Sequence, residues 1–188
     1  MATMDSISTW SSAAGDRERG VAWRDAVTER MIRAGRYVPY EDLVADAAVE
    51  HHLSPDAPRR LWAAWSRMRR WPDASALEKL RIPYAFVTNC SAERATVAAA
   101  RSGLEPAFML SAEEAGWYKP RAEIYRLACE RIGLRPDRVR FVAGAAYDAL
   151  GAAGAGLQAV LVARRPASGD LPDEITMVAS LEDAVHVG

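Results

Sequence analysis

From Ile82 onward the chain alternates short apolar runs with helix-length amphipathic stretches, and that alternation limits its fold more than any other feature. Ile82 to Val87 is a β-prone run closed by Thr88-Asn89. A helix opened by Ser91 and closed by Gly103 follows, then a second run from Ala107 to Leu110. Ser111-Ala112-Glu113-Glu114 has the spacing of a capping box. Pro120 at a helix start and Gly133 just past its end mark another helix. Val139 to Ala143, Tyr147 to Ala155 and Leu157 to Ala163 then read as strand, helix and strand. Strands that are apolar throughout and separated by helices predict an α/β fold with a parallel sheet covered on both faces.

The stretch before Ile82 has a different character. From Gly20 to Trp71 the pattern is helical. Trp23, Val27, Met31 and Ala34 share one face and Gly35 follows as a C-cap. Leu43, Ala47 and Ala48 form a second stripe after Pro39. Leu61, Trp62, Trp65 and Met68 form a third after Ser54-Pro55. The expected organisation is an N-terminal segment over residues 1–19, a helical unit over 20–73 and an α/β core over 74–188.

At 188 residues, one domain with an insert accommodates these parts. Lys and Arg total 24 against 25 Asp and Glu, a net charge of −1 that argues against nucleic acid or an anionic membrane as partner. Cys90 and Cys129 are too few for a disulfide framework, and His51, His52 and His186 too few for a His-rich metal site. Neither a signal peptide nor an apolar run of membrane-spanning length is apparent, so a cytoplasmic protein is expected. Only two of the 24 basic residues, Lys79 and Lys119, are lysines, which singles Lys119 out for attention.

Ligands of open parallel sheets bind beyond the carboxyl ends of the strands. Thr88-Asn89 stands at one such end, Asp148 follows another, and Lys119 lies before a helix. A hydroxyl, an ammonium and a carboxylate there suit an anionic substrate. Each also has a plainer reading. Lys119 can simply pair with Asp148, Thr88 and Asn89 can cap the following helix, and Tyr125 beside Ile124 and Ala128 can be core. His51-His52 reads as a solvated helix end, and Arg59, Arg60, Arg67, Arg69 and Arg70 as a solvated face.

Several runs together resemble the haloacid dehalogenase superfamily, and most nearly its 2-haloacid dehalogenase branch. They are Trp117-Tyr118-Lys119-Pro120, Ile124-Tyr125, Gly133-Leu134 with Pro136, Phe141-Val142, and Asp148 with Gly151-Ala152 and Ala155-Gly156-Leu157. Upstream, Arg36-Tyr37-Val38-Pro39-Tyr40-Glu41-Asp42-Leu43 resembles the start of that branch's helical cap. The likeness spans about Val21 to Ala163. It implies a Rossmann-like parallel sheet with a helical cap inserted near the N-terminus. It also implies that Thr88 and Lys119 hold the nucleophilic aspartate and the substrate anion, that Asn89 and Tyr125 line the site, and that Asp148 is the acid after the fourth strand.

The departures bear on function. In the family the nucleophile ends the first, central strand in an Asp-x-x-Gly-Thr turn. Here Asp5-Ser6-Ile7-Ser8-Thr9 keeps the Asp and Thr but has Ser8 for the glycine. Only Met1 to Met4 precede Asp5, against the ~5–6 residues of an average strand. That strand is therefore expected to be truncated or absent, with Asp5 and Thr9 at the surface. Ala145 stands where the family carries Asp, Asn or His, so no Mg²⁺ site and no cofactor are expected. The reading that follows is a catalytically degenerate protein serving as a non-catalytic partner subunit that stabilises or completes another enzyme, in a hetero-oligomer or homodimer. Trp10 and Trp71 would supply its interface. The alternative is a 2-haloacid dehalogenase or phosphatase with Asp5 as nucleophile, Thr88 and Lys119 as anion holders and Asp148 as positioning acid. A binding module that keeps the anion pocket without chemistry lies between the two.

Overall fold

The computed structural model describes residues 2–164 and 171–187. Its N-terminal part is a cluster of four helices, α1 (Ser6–Ala14), α2 (Arg17–Ala34), α3 (Tyr40–Glu50) and α4 (Ala57–Trp65). The remainder alternates as β1 (Ala85–Thr88), α5 (Ala92–Ser102), β2 (Phe108–Ser111), α6 (Ala112–Ala115), α7 (Ala122–Ile132), β3 (Arg140–Ala143), α8 (Ala146–Gly154), β4 (Gln158–Val162), β5 (Thr176–Val178) and α9 (Leu181–His186). Each strand pair is parallel, as the apolar runs require.

Local signals set most of the boundaries. The Asp16 side chain accepts from Arg19 N at the start of α2, and Gly35 closes that helix. Ser91 caps α5 by accepting from Arg94 N, and Gly103 ends it in the left-handed region that favours glycine. Ser111 and Glu114 form the reciprocal capping box of α6. Pro120 does not begin a helix; α7 starts at Ala122, with Arg121 at its N-cap.

Thr9, expected at the surface, is instead part of a packed helix. Ser6, Thr9, Trp10, Ala13 and Ala14 are buried, which is the i, i+3, i+4, i+7, i+8 stripe of a packed helix. Trp10 meets Trp23 edge to face, with ring centres 4.7 Å apart. It is core and not interface material. Gly20 permits this packing, because a Cβ there would stand 2.4 Å from Ser11 Cα. Trp71, by contrast, is only partly buried, beneath the Arg164 guanidinium.

Residues 3–5 do not enter the parallel sheet. Asp5 N donates to Arg69 O, Trp71 N donates to Thr3 O, and Met4 forms an antiparallel bridge with Arg70. Among the described residues the first strand of the chain is therefore β1. The expected single sheet is instead two, β1–β2 and β3–β4–β5, with no ladder between them. The two halves are joined through side-chain layers. On one face Tyr125 of α7 packs edge to face on Phe141 of β3. On the other, Phe86 and Val142 border a cluster built on Val160, Val162 and Leu181. Arg164, just past β4, grips Asp73 through both guanidinium nitrogens at 2.7 and 2.9 Å, and Asp73 also accepts from Leu181 N at 2.8 Å. This ties a 3-10 turn over Pro72–Lys79 to the end of β4 and the start of α9.

Candidate active site

Lys119 sits where the helical cluster, β1 and β3 converge. The chain on either side of it is fixed first. Tyr118 N donates to Gly35 O at 2.7 Å, and Tyr118 Oη donates to Val38 O at 2.6 Å, so the exit from α2 holds this loop. Asn89, just beyond β1, clamps the Lys119 peptide from both sides. Its Oδ1 accepts from Lys119 N at 2.7 Å and its Nδ2 donates to Lys119 O at 3.1 Å. The predicted capping role of Thr88 and Asn89 falls to Ser91, which leaves Asn89 free for this task.

The Lys119 ammonium is buried. It donates to Asp148 Oδ2 at 2.6 Å and to Val87 O at 3.2 Å, and lies 5.5 Å from the centre of the Phe141 ring. Asp148, in the first turn of α8, is fully engaged, because its Oδ1 accepts from Tyr125 Oη at 2.7 Å. The Tyr125 phenol is pushed well above its ordinary pKa, first by burial and then by the Asp148 charge. It remains a neutral donor. Burial and the same carboxylate also raise the Tyr147 phenol. Gly151, one turn beyond Asp148, leaves the room this requires, since a Cβ there would lie 2.5 Å from Pro120 Cβ and 2.7 Å from Tyr125 Oη.

Lys119, Tyr125 and Asp148 thus form a buried network, which the partly buried Asn89 joins through the Lys119 backbone. Thr88 stands at its edge, its Oγ1 3.2 Å from Cys90 Sγ. Burial pushes the Cys90 thiol up to about 12, so it is not an ionised nucleophile at neutral pH. The sequence does not assign Cys90, Tyr147 or Phe141 to the site, because no local signal distinguishes them from ordinary core residues.

Asp5 is not part of this network. It caps α1, with Ser8 N donating to Oδ1 at 3.1 Å and Ser8 Oγ donating to Oδ2 at 2.6 Å. Thr9 Oγ1 donates to Asp5 O at 3.1 Å. Asp5 lines an open cleft of about 430 Å³ beyond the carboxyl ends of β3 and β4, together with Arg24, Asp25, Ala145 and Arg164. Ala145 offers no side-chain oxygen at the N-cap of α8. Among the described residues no three His, Cys, Asp or Glu side chains come together as a metal-ligand group.

The chain thus has parallel α/β pairing with a buried lysine–aspartate pair beyond its strand ends, and comparison with known proteins gives its family. The haloacid dehalogenase-like hydrolase family matches residues 10–156, and the chain belongs to that family. It is 35% identical over 112 residues to (S)-2-haloacid dehalogenase 4A of Burkholderia cepacia, covering 56% of this chain and 48% of that one. It is 30% identical over 142 residues to (S)-2-haloacid dehalogenase 1 of Pseudomonas sp. (strain CBS-3), covering 69% of this chain and 63% of that one. The matches thus span about half to two-thirds of the length of these relatives. The L-2-haloacid dehalogenase of Xanthobacter autotrophicus superposes with a TM-score of 0.84 over 98% of this chain and 93% of its own, at 21% identity, and so shares the fold. No described helix is long and apolar enough to cross a membrane.

Proposed function

We propose that the chain is a hydrolase of the 2-haloacid dehalogenase kind, acting on a small carboxylate that bears a leaving group on the adjacent carbon. The observation that carries this reading is Lys119, a buried ammonium at the carboxyl end of β1 whose backbone is clamped by Asn89 and whose charge is held by Asp148. A substrate carboxylate would share that ammonium with Asp148, at a site where burial strengthens the pairing. Tyr125 donates to the other Asp148 oxygen and so fixes the carboxylate that holds Lys119 in place.

Asp5 is the carboxylate assigned to attack. Its oxygen would displace the halide at the α-carbon to form an ester on the enzyme, and water would then cleave the ester to give the 2-hydroxy acid and restore Asp5. Attack requires Asp5 to release Ser8 and to reach a substrate anchored on Lys119. Chloride release from (S)-2-chloropropionate, with Asp5→Asn as the inactive control, tests the proposal.

A second reading has its own observation. Asp5 is spent as a helix cap, and the sheet is in two parts. A non-catalytic subunit that stabilises or completes another enzyme accounts for both. It calls for a stoichiometric second chain on purification from the native cells and for halide release no faster than the blank.

A further inference from the structure

The cleft that holds Asp5 has two walls. Met4–Ser8 and Trp71 line one, and Gly144–Ala146 with Leu161–Arg164 line the other. Arg164 belongs to the second wall by its backbone and to the first by its side chain. At its base, Ala163 N donates to Val178 O at 2.9 Å and Arg164 N to Val162 O at 3.1 Å, so the residue leaves from the paired ends of β4 and β5. Its guanidinium then grips three groups at once. Nη1 donates to Asp73 Oδ2 at 2.7 Å, while Nη2 donates to Asp73 Oδ1 and to Ala2 O, both at 2.9 Å. The Arg164 Cζ also stands 4.8 Å from the centre of the Trp71 ring.

Those groups lead to Asp5 through the backbone. Trp71 N donates to Thr3 O at 2.9 Å, Met4 bridges Arg70 in the antiparallel sense, and Asp5 N donates to Arg69 O at 2.9 Å. Residues 3–5 and 69–71 thus form a ribbon. Asp5 stands at one end of it, and Ala2, Trp71 and Asp73 gather at the other under the Arg164 guanidinium. A two-stranded ribbon this short is not stable in water by itself. The buried Met4 side chain seats its middle in the core, and the Arg164 fork anchors its far end to β4. Bidentate pairing of a guanidinium with a carboxylate fixes angle as well as distance, so the anchor is directional.

We propose that Arg164 is a positioning residue for Asp5: its fork holds the ribbon against the end of β4 and so sets where the Asp5 backbone stands across the cleft. The inference rests on the assignment of Asp5 as the attacking carboxylate. Attack requires the Asp5 side chain to turn away from Ser8 while its backbone keeps its place, and the backbone is what the ribbon holds. A displacement of about 1 Å at an attacking group costs on the order of 100-fold in rate. Arg164 acts through the ribbon and on no reacting atom. Substrate anchoring is assigned to Lys119, which lies in a different network, so loss of the fork affects attack and leaves substrate binding alone.

The test uses the full chain as wild type, Arg164→Met, Arg164→Lys and Asp73→Asn, each studied well below its melting temperature. Amide hydrogen exchange reads the ribbon directly. In Arg164→Met the Asp5 and Trp71 amides should exchange roughly tenfold faster than in wild type. Chloride release from (S)-2-chloropropionate reads the consequence. Arg164→Met should lose roughly 10–100-fold in kcat with KM within about twofold of wild type. Asp73→Asn frees the fork without altering a residue of the cleft and should show the same split. Arg164→Lys keeps the charge but not the fork, so it should restore the melting temperature more fully than kcat. Unchanged exchange of the two amides in Arg164→Met would overturn the proposal whatever the activity. So would a raised KM with intact kcat, or a lysine variant with wild-type kcat. A wild-type protein that releases no chloride would count against the hydrolase reading, and the exchange measurement would then decide the clamp by itself.

Discussion

The ammonium of Lys119 lies 2.6 Å from Asp148 Oδ2, and both side chains are about nine-tenths buried. Two charges withdrawn from water are held in place by each other and by neutral partners, Val87 O for the lysine and Tyr125 Oη for the aspartate. Such a pair adds little stability over an apolar substitute, but breaking it strands a charge. The two side chains therefore stand or fall as a unit.

Replacing Lys119 with Met should leave Asp148 buried with only Tyr125 as partner. We expect a loss of about 3–5 kcal/mol in unfolding free energy, measured by urea denaturation. Lys119→Met/Asp148→Leu should recover much of that loss without restoring anion binding.

Tyr125→Phe removes the other donor to Asp148. A destabilisation of about 1–3 kcal/mol is expected from the same denaturation series. Because Tyr125 and Lys119 share one carboxylate, the double variant should fall short of the sum of the single losses.

Asp73 provides a pH-dependent clamp. Burial alone would raise its carboxyl, but the Arg164 guanidinium and the Leu181 N–H outweigh that and hold it below the usual carboxylate range. With the folded value depressed, its contribution is present above the unfolded value, near pH 4, and is lost as pH falls through the folded one. Thermal melts from pH 7 to pH 2 should show wild type losing this increment at the acid end. Asp73→Asn should melt lower at pH 7 and converge with wild type in acid.

Cys90 should resist alkylation. With its thiol pushed up to about 12 and its side chain buried, iodoacetamide at pH 8.5 should label it roughly 100-fold more slowly in the native protein than in urea. Mass spectrometry of timed digests measures this directly.

Much of the α/β half was legible in the sequence because its signals are local. Ser91, Gly103, Gly133 and the Ser111–Glu114 box each fix a boundary through their own hydrogen bonds or backbone angles. The junction of Lys119 with Asp148 was also anticipated, as a plain ion pair. The role of Asn89 was not, since nothing near it in the chain announces a clamp on a peptide 30 positions away. Helix α1 was missed because Ser6, Thr9 and Ala13 are small or polar, and only the close approach of Gly20 reveals that their stripe is buried. β5 and α9 lie in a polar C-terminal stretch whose burial rests on single residues such as Leu181.

We propose above that this chain turns over a 2-haloacid at a site anchored by Lys119. Chloride release from (S)-2-chloropropionate by the purified protein measures it directly, with Asp5→Asn and Lys119→Met assayed beside it. Release above the blank is expected for wild type and none for Asp5→Asn. Lys119→Met should lose roughly 10–100-fold in kcat/KM. Release equal to the blank from protein that melts cooperatively would contradict it.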